Sequence, residues 1–205
     1  MREDVADLAA LIEHFGLAPA WVIGNSFGGS ITLRLAGERS DLLRGVMVHE
    51  PPLFSLVADD PTLAPILEDV YGKVGTVVER IGSGDYAGAA EQFVDTVAIG
   101  PGGWAQLPPE HQQGLIENAP TFFDEARDPE QLTIDLERTK AFSSPSLISK
   151  GDQSPPIFAP VITKLADVLH NAEVVTFPGA GHIPHITHPE IYVEAITAFI
   201  NENSK

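Results

Sequence analysis

The segment Gly24-Asn25-Ser26-Phe27-Gly28 constrains this chain more than any other, because of what stands on either side of it. An apolar run, Ala20-Trp21-Val22-Ile23, leads into it. Behind it Ile31, Leu35 and Ala36 recur at helical spacing. A serine between a buried strand and a helix sits on a sharp turn, and flanking glycines let backbone approach without Cβ clashes. Such a turn lifts the hydroxyl above the sheet edge and aims the next amide, that of Phe27, where an oxyanion would form. The competing reading is a plain Gly/Ser turn without chemistry. The strand before, the helix after and the extra Gly29 weigh against it.

The rest of the chain builds a sheet around that turn. Val5, Leu8, Leu11, Ile12 and Phe15 predict an opening amphipathic helix, with Gly16 as its left-handed cap and Pro19 as its stop. The run Ala20–Ile23 is continuous rather than alternating, which predicts a parallel strand covered on both faces. Gly45-Val46-Met47-Val48-His49 predicts a second buried strand, closing a strand–helix–strand unit. From Leu53 to Ser143 the texture changes to helix formers broken by prolines, with helices expected around Leu63–Tyr71, Tyr86–Val97 and Glu110–Asn118. Strand patterns return at Ser146–Ser149 and Glu173–Phe177. A helix over Phe158–Leu169 separates them, and a final helix carries Ile191, Ala195, Ile196, Phe199 and Ile200. The expectation is an α/β fold with a mostly parallel sheet, its core formed by 1–52 and 144–205 and a helical insertion over 53–143.

Composition narrows the function classes. The 205 residues carry 12 Lys+Arg against 29 Asp+Glu, a net charge of −17. That field repels phosphate backbones and anionic lipid, so neither nucleic acid nor a membrane surface is an expected partner. There is no cysteine, which removes disulfides, thiolate metal sites and cysteine nucleophiles together. The acidic start Met-Arg-Glu-Asp-Val-Ala-Asp lacks the apolar core of a signal peptide, and no apolar run approaches the ~20 residues of a spanning helix. A cytoplasmic setting is expected.

A serine hydroxyl is a weak nucleophile and needs a base, normally histidine. Of seven histidines, His182 lies in the Pro178-Gly179-Ala180-Gly181-His182 loop after the last strand, where the carboxyl edge of a parallel sheet gathers functional groups. His185 and His188 follow at intervals of three. A metal reading of that trio is disfavoured, because Pro184 and Pro189 break the helix that would align the rings. His14, His111 and His170 fall in helical contexts and read as surface or satisfied core residues.

The Gly-Asn-Ser-Phe-Gly-Gly turn, the Gly-Ala-Gly-His-Ile-Pro-His loop and the helical insertion between them resemble the α/β-hydrolase superfamily over essentially the whole chain. The resemblance implies Ser26 as nucleophile, His182 as general base, the Phe27 amide as oxyanion donor and the insertion as a cap or lid. It implies no cofactor and no metal. The acid is open between two positions. The commonest family pattern takes it from a Gly-x-x-Asp turn, here Gly151-Asp152-Gln153-Ser154, where Asp152 is out of phase by two and Ser154 stands in the expected place. Other members take it from the end of the strand after the nucleophile's helix, here Val48-His49-Glu50-Pro51. Glu50 is preferred and Asp152 is the alternative. Against them stand a solvent-facing strand end and a turn residue bonding its own backbone.

The resemblance also implies eight strands with the nucleophile after the fifth, whereas this chain starts on the helix just before it. Strands five to eight are expected, with the nucleophile strand as an open apolar edge. Three accounts stay open: a start further upstream, pairing of that edge in a homo-oligomer, and a hydrolase that has lost its front. The implied activity is hydrolysis of a small carboxylic ester, lactone or related carbonyl substrate through an acyl-enzyme. The rival is a compromised hydrolase scaffold that binds a small molecule or partner. Phe54, Phe93, Trp104, Phe122 and Phe123 are candidate pocket residues, with packing inside the insertion as their competing role.

Overall fold

The structure is a computed structural model that describes residues 1–130 and 133–204. Gln131 and Leu132, inside the expected insertion, and Lys205 lie outside the described residues. In chain order the elements are α1 (Arg2–His14), β1 (Ala20–Asn25), α2 (Phe27–Glu38), β2 (Leu43–His49), α3 (Ala64–Gly82), α4 (Tyr86–Phe93), α5 (Pro109–Glu117) and α6 (Ala119–Ala126). They continue with α7 (Leu136–Lys140), β3 (Ser146–Gly151), α8 (Phe158–Val168), β4 (Ala172–Phe177), α9 (Pro184–Thr187) and α10 (Pro189–Asn203). The chain divides into two compact units, Met1–Asp59 with Leu132–Lys205, and Asp60–Gln131. No helix among the described residues is long and apolar enough to cross a membrane.

The first unit holds a four-stranded sheet in the order β1-β2-β3-β4, every neighbouring pair parallel. β2 and β3 are central, and Val46 and Ile148 are fully buried there. On one face Met47, Leu147 and Phe199 form a core cluster, joined by Trp21, Val175 and Ile196. Trp21 pairs in register with Gly45, and a Cβ at Gly45 would collide with the indole and the Pro145 carbonyl. The glycine is therefore what lets the ring lie flat on β2 and reach Phe199, 5.8 Å away edge-on. On the other face Val48 packs toward Gly29 of α2. Truncating a buried aromatic such as Phe199 to Ala removes about 3–5 kcal/mol in cores of this kind.

Helix α1 stops as its sequence demands. Gly16 takes φ +63°, the Leu17 amide bonds back to the Ile12 carbonyl at 3.0 Å, and the Gly16 amide to Glu13 at 3.1 Å. This is the double-bonded left-handed cap that glycine makes cheap. β1 takes the place that the resemblance implied for the nucleophile strand, but is less covered than its continuous apolar run predicts. It is the sheet edge, half-buried, with Ile23 45% exposed, because no strand flanks it on its outer side among the described residues. A continuous apolar run cannot report which strand ends up at an edge.

The second unit is helical. α3 extends to Gly82 where the sequence pattern suggested a stop near Tyr71. Gly72 and Gly75 face open space and cost the helix only propensity, while Val74, Val77, Val78 and Ile81 carry the apolar stripe through them. Pro120, which reads as a breaker, sits in the first turn of α6, where the missing N–H costs nothing. Val77, Ile81, Ala89 and Ala119 form this unit's core, with Phe93, Phe122 and Phe123 packed against it.

Candidate active site

Ser26 is the hinge between β1 and α2, with φ 53° and ψ −123°. Those angles belong to a turn position that glycine normally fills, and they cost a residue with a Cβ about 1–3 kcal/mol. The surroundings impose them. The Ser26 amide donates to the His49 carbonyl at the end of β2 (2.8 Å), and the amides of Gly29 and Ser30 donate to the Ser26 carbonyl (2.9 and 3.2 Å). Of the motif glycines, Gly24 is the one that sterics require, since a Cβ there would overlap the backbone of Gly28 and Gly29. At Gly28 a Cβ would meet nothing within 4 Å, so the expectation that both glycines relieve a clash holds for one of them. The Phe27 amide opens α2 and, as the first of the helix, has no intrahelical acceptor to bond. Ser26 is partly exposed, and its Oγ makes no hydrogen bond among the described residues.

Glu50 follows the last residue of β2 and has φ 46°, the only non-glycine besides Ser26 with positive φ among the described residues. Its carboxylate is completely buried. Oε1 accepts from the Gly151 amide at 2.8 Å, and Oε2 lies 2.8 Å from Nδ1 of His182. Burial by itself would raise the Glu50 carboxyl. The polar groups of His182, then His49, then Ser154, gathered around it, outweigh that and hold the group down at about 2. Glu50 is therefore ionised and can only accept, so His182 Nδ1 carries the proton and Nε2 is left as the basic nitrogen.

The His182 ring is 7% exposed and stacks on Phe158 with centroids 4.5 Å apart and planes 15° apart. Asn25, the residue before Ser26, donates from Nδ2 to the His182 carbonyl at 2.9 Å, which ties the histidine loop to the serine turn. Ser26 follows β1, Glu50 follows β2 and His182 follows β4. In a parallel sheet these are all carboxyl ends, so three distant segments meet on one edge.

Asp152 is not against His182. Its Oδ1 accepts from the Gly179 amide at 2.8 Å, bracing the loop that carries His182. Ser154, in the place where the commonest pattern has its aspartate, is half-buried with its hydroxyl turned in toward Glu50, and favours the charged carboxylate without a well-formed hydrogen bond of its own. Among the described residues no cluster of His, Asp and Glu has the makings of a metal site. His185 is exposed near Tyr192, and His188 Nδ1 meets the Thr187 hydroxyl. His14, His111 and His170 are exposed. Phe54 packs near Phe158 in the sheet unit. Phe93 and Phe122 pack together in the helical unit, where with Val77, Ile81 and Leu115 they line a mostly apolar cavity of about 270 Å³. Reading the sequence did not single out Asn25, Phe158 or the His49 side chain. Only His49 left a trace, a polar residue ending an otherwise apolar strand.

A serine on a strained strand-to-helix turn and a buried His–Glu pair, all at the carboxyl edge of one parallel sheet, are the layout of a nucleophile-elbow α/β protein. The chain belongs to the Alpha/beta hydrolase family, which it matches over residues 2–195. It is similar to the lipase LipV of Mycobacterium tuberculosis, 26% identical over 106 residues, 52% of this chain and 34% of that protein. It is also similar to an sn-1-specific diacylglycerol lipase of Mus musculus, 22% identical over 95% of this chain and 63% of the other. The chain thus spans less than two thirds of either curated relative. Among solved structures, MenH from S. aureus superposes with a TM-score of 0.74 at 15% identity, covering 98% of this chain and 75% of that one.

Proposed function

We propose that this chain is a serine hydrolase acting on a small carboxylic ester, lactone or related carbonyl substrate. The observation that carries the reading is the buried 2.8 Å bond from His182 Nδ1–H to an ionised Glu50, on the sheet edge that also carries the strained Ser26 turn. In the proposed reaction Ser26 Oγ attacks the carbonyl carbon while His182 Nε2 takes its proton. Glu50 holds the resulting imidazolium. The oxyanion forms toward the Phe27 amide. Collapse expels the alcohol, which leaves with the proton from His182, and water hydrolyses the acyl-enzyme by the same relay. The names of the two lipase relatives support an ester substrate. The reading requires Ser26 Oγ to meet His182 Nε2 once substrate is bound, and the Asn25 bond to the His182 carbonyl holds the two loops together for it.

The test is intact-mass analysis of the chain after fluorophosphonate treatment, beside Ser26→Ala. A single adduct on the parent chain and none on the variant supports the reading, as does loss of nitrophenyl-ester turnover in the variant by ~10³-fold or more. A folded chain that takes no adduct sinks it.

A further inference from the structure

One buried ring near the candidate triad has no part in the reaction as written. His49 is completely buried, adjacent in sequence to Glu50 and at the meeting point of the serine and acid strands. Its carbonyl holds the Ser26 amide. Its Nδ1 lies 3.0 Å from the Ser149 hydroxyl of β3, and its Nε2 lies 3.5 Å from Glu50 Oε2, the same oxygen that His182 engages at 2.8 Å. The two imidazole centroids are 6.4 Å apart, and Phe177 and Tyr192 enclose the His49 ring at 5.9 and 6.3 Å. Nε2 has no hydrogen bond of good geometry in the structure.

A fully buried ring nitrogen needs a partner. The Ser149 hydroxyl has one proton and two acceptors, His49 Nδ1 at 3.0 Å and the Val48 carbonyl at 3.3 Å. Given to the nearer nitrogen, that proton leaves Nδ1 accepting and puts the ring proton on Nε2, facing an ionised carboxylate. The other tautomer would aim a bare lone pair at Glu50, a repulsive arrangement between two side chains that are both fully buried. We infer that His49 is a positioning residue. Its Nε2–H donates to Glu50 Oε2, so that two imidazoles, one anchored on β3 and one on the histidine loop, fix a single carboxylate oxygen and with it the plane of the His182 ring. This rests on the serine-hydrolase reading for its consequence, while the bond itself does not.

The test uses the whole chain, ¹⁵N-labelled, and long-range ¹H–¹⁵N spectra of the imidazoles at pH 7.5, with His49 identified by its loss in His49→Gln. Protonated Nε2 is expected; unprotonated Nε2 overturns the inference whatever the chain's activity. Two variants test the positioning role. His49→Gln keeps a donor near the Nε2 position, and His49→Leu removes it while filling most of the space. The downfield proton of His182 Nδ1–H should stay sharp in the first and broaden in the second. Fluorophosphonate labelling of Ser26 should change by less than about 3-fold in the glutamine variant and slow about 10-fold in the leucine variant, the scale of one charge-assisted hydrogen bond. A sharp His182 proton in a folded His49→Leu overturns the positioning role. Absence of labelling in the parent chain, with these spectra as expected, instead counts against the hydrolase reading. Should His49→Leu fail to fold, the parent spectrum and the glutamine variant still decide.

Discussion

Replacing Glu50 by Gln converts a buried carboxylate into a neutral amide of the same shape, and the structure sets the size of the consequence. The folded chain holds this carboxyl at about 2 against an ordinary 4.5. A group with a depressed folded value adds stability above its unfolded value, and that stability is lost as pH falls through the folded one. At about 1.4 kcal/mol per unit the full contribution is roughly 3 kcal/mol. Between pH 5.5 and pH 3 about 2 kcal/mol of it should go, because the unfolded chain takes up the proton while the folded chain does not. The glutamine variant has no such group, so its stability should fall less over the same range. Urea titrations report this, read by Trp21 fluorescence in a Trp104→Phe background so that the signal comes from the sheet unit. Other carboxylates titrate in both proteins and cancel in the difference. The parent should lose its advantage over Glu50→Gln by about 2 kcal/mol on going to pH 3. Parallel stability curves would refute the reasoning, because they would mean that Glu50 is not held as a carboxylate by His182, His49 and Ser154.

Two further expectations follow from the same edge of the sheet. Gly24→Ala should lower stability in urea titrations by more than about 3 kcal/mol and abolish labelling of Ser26, since its Cβ would overlap the Gly28 and Gly29 backbone, whereas Gly28→Ala should change stability by under about 1 kcal/mol; equal effects would contradict the turn geometry. Asp152→Asn keeps an acceptor for the Gly179 amide, so nitrophenyl-ester turnover should stay within about 3-fold, while Glu50→Gln should lose ~10³-fold or more. The reverse order would make Asp152 the acid.

Much of this is legible in the amino-acid sequence. Four parallel strands with helices between them follow from apolar runs punctuated by glycine and proline, and the Ser26 turn from a change of period across a Gly-rich pentapeptide. The His182 loop was legible because it follows the last strand and is too rich in Gly and Pro to be anything else. The length of α3 was not, because a glycine inside a helix and a glycine ending one look alike until Val77 and Ile81, beyond the glycines, are seen to pack in one core.

The amino-acid order by itself determined the local matters: where chain direction changes, which residues must be buried, and which side chains are chemically able to act. Between Glu50 and Asp152 it offered only the preference for Glu50 that the family resemblance carried, since both stand at strand ends and spacing along the chain does not say which reaches His182. The tertiary structure decided which carboxylate lies against His182, because that depends on the register of β2 against β3 and on the path of a loop more than a hundred residues away. It also revealed His49 and Ser154 around Glu50, two polar groups whose closeness exists only once the strands are side by side. Periodicity is a property of neighbours along the chain, whereas the ionisation of a buried group is set by neighbours across it.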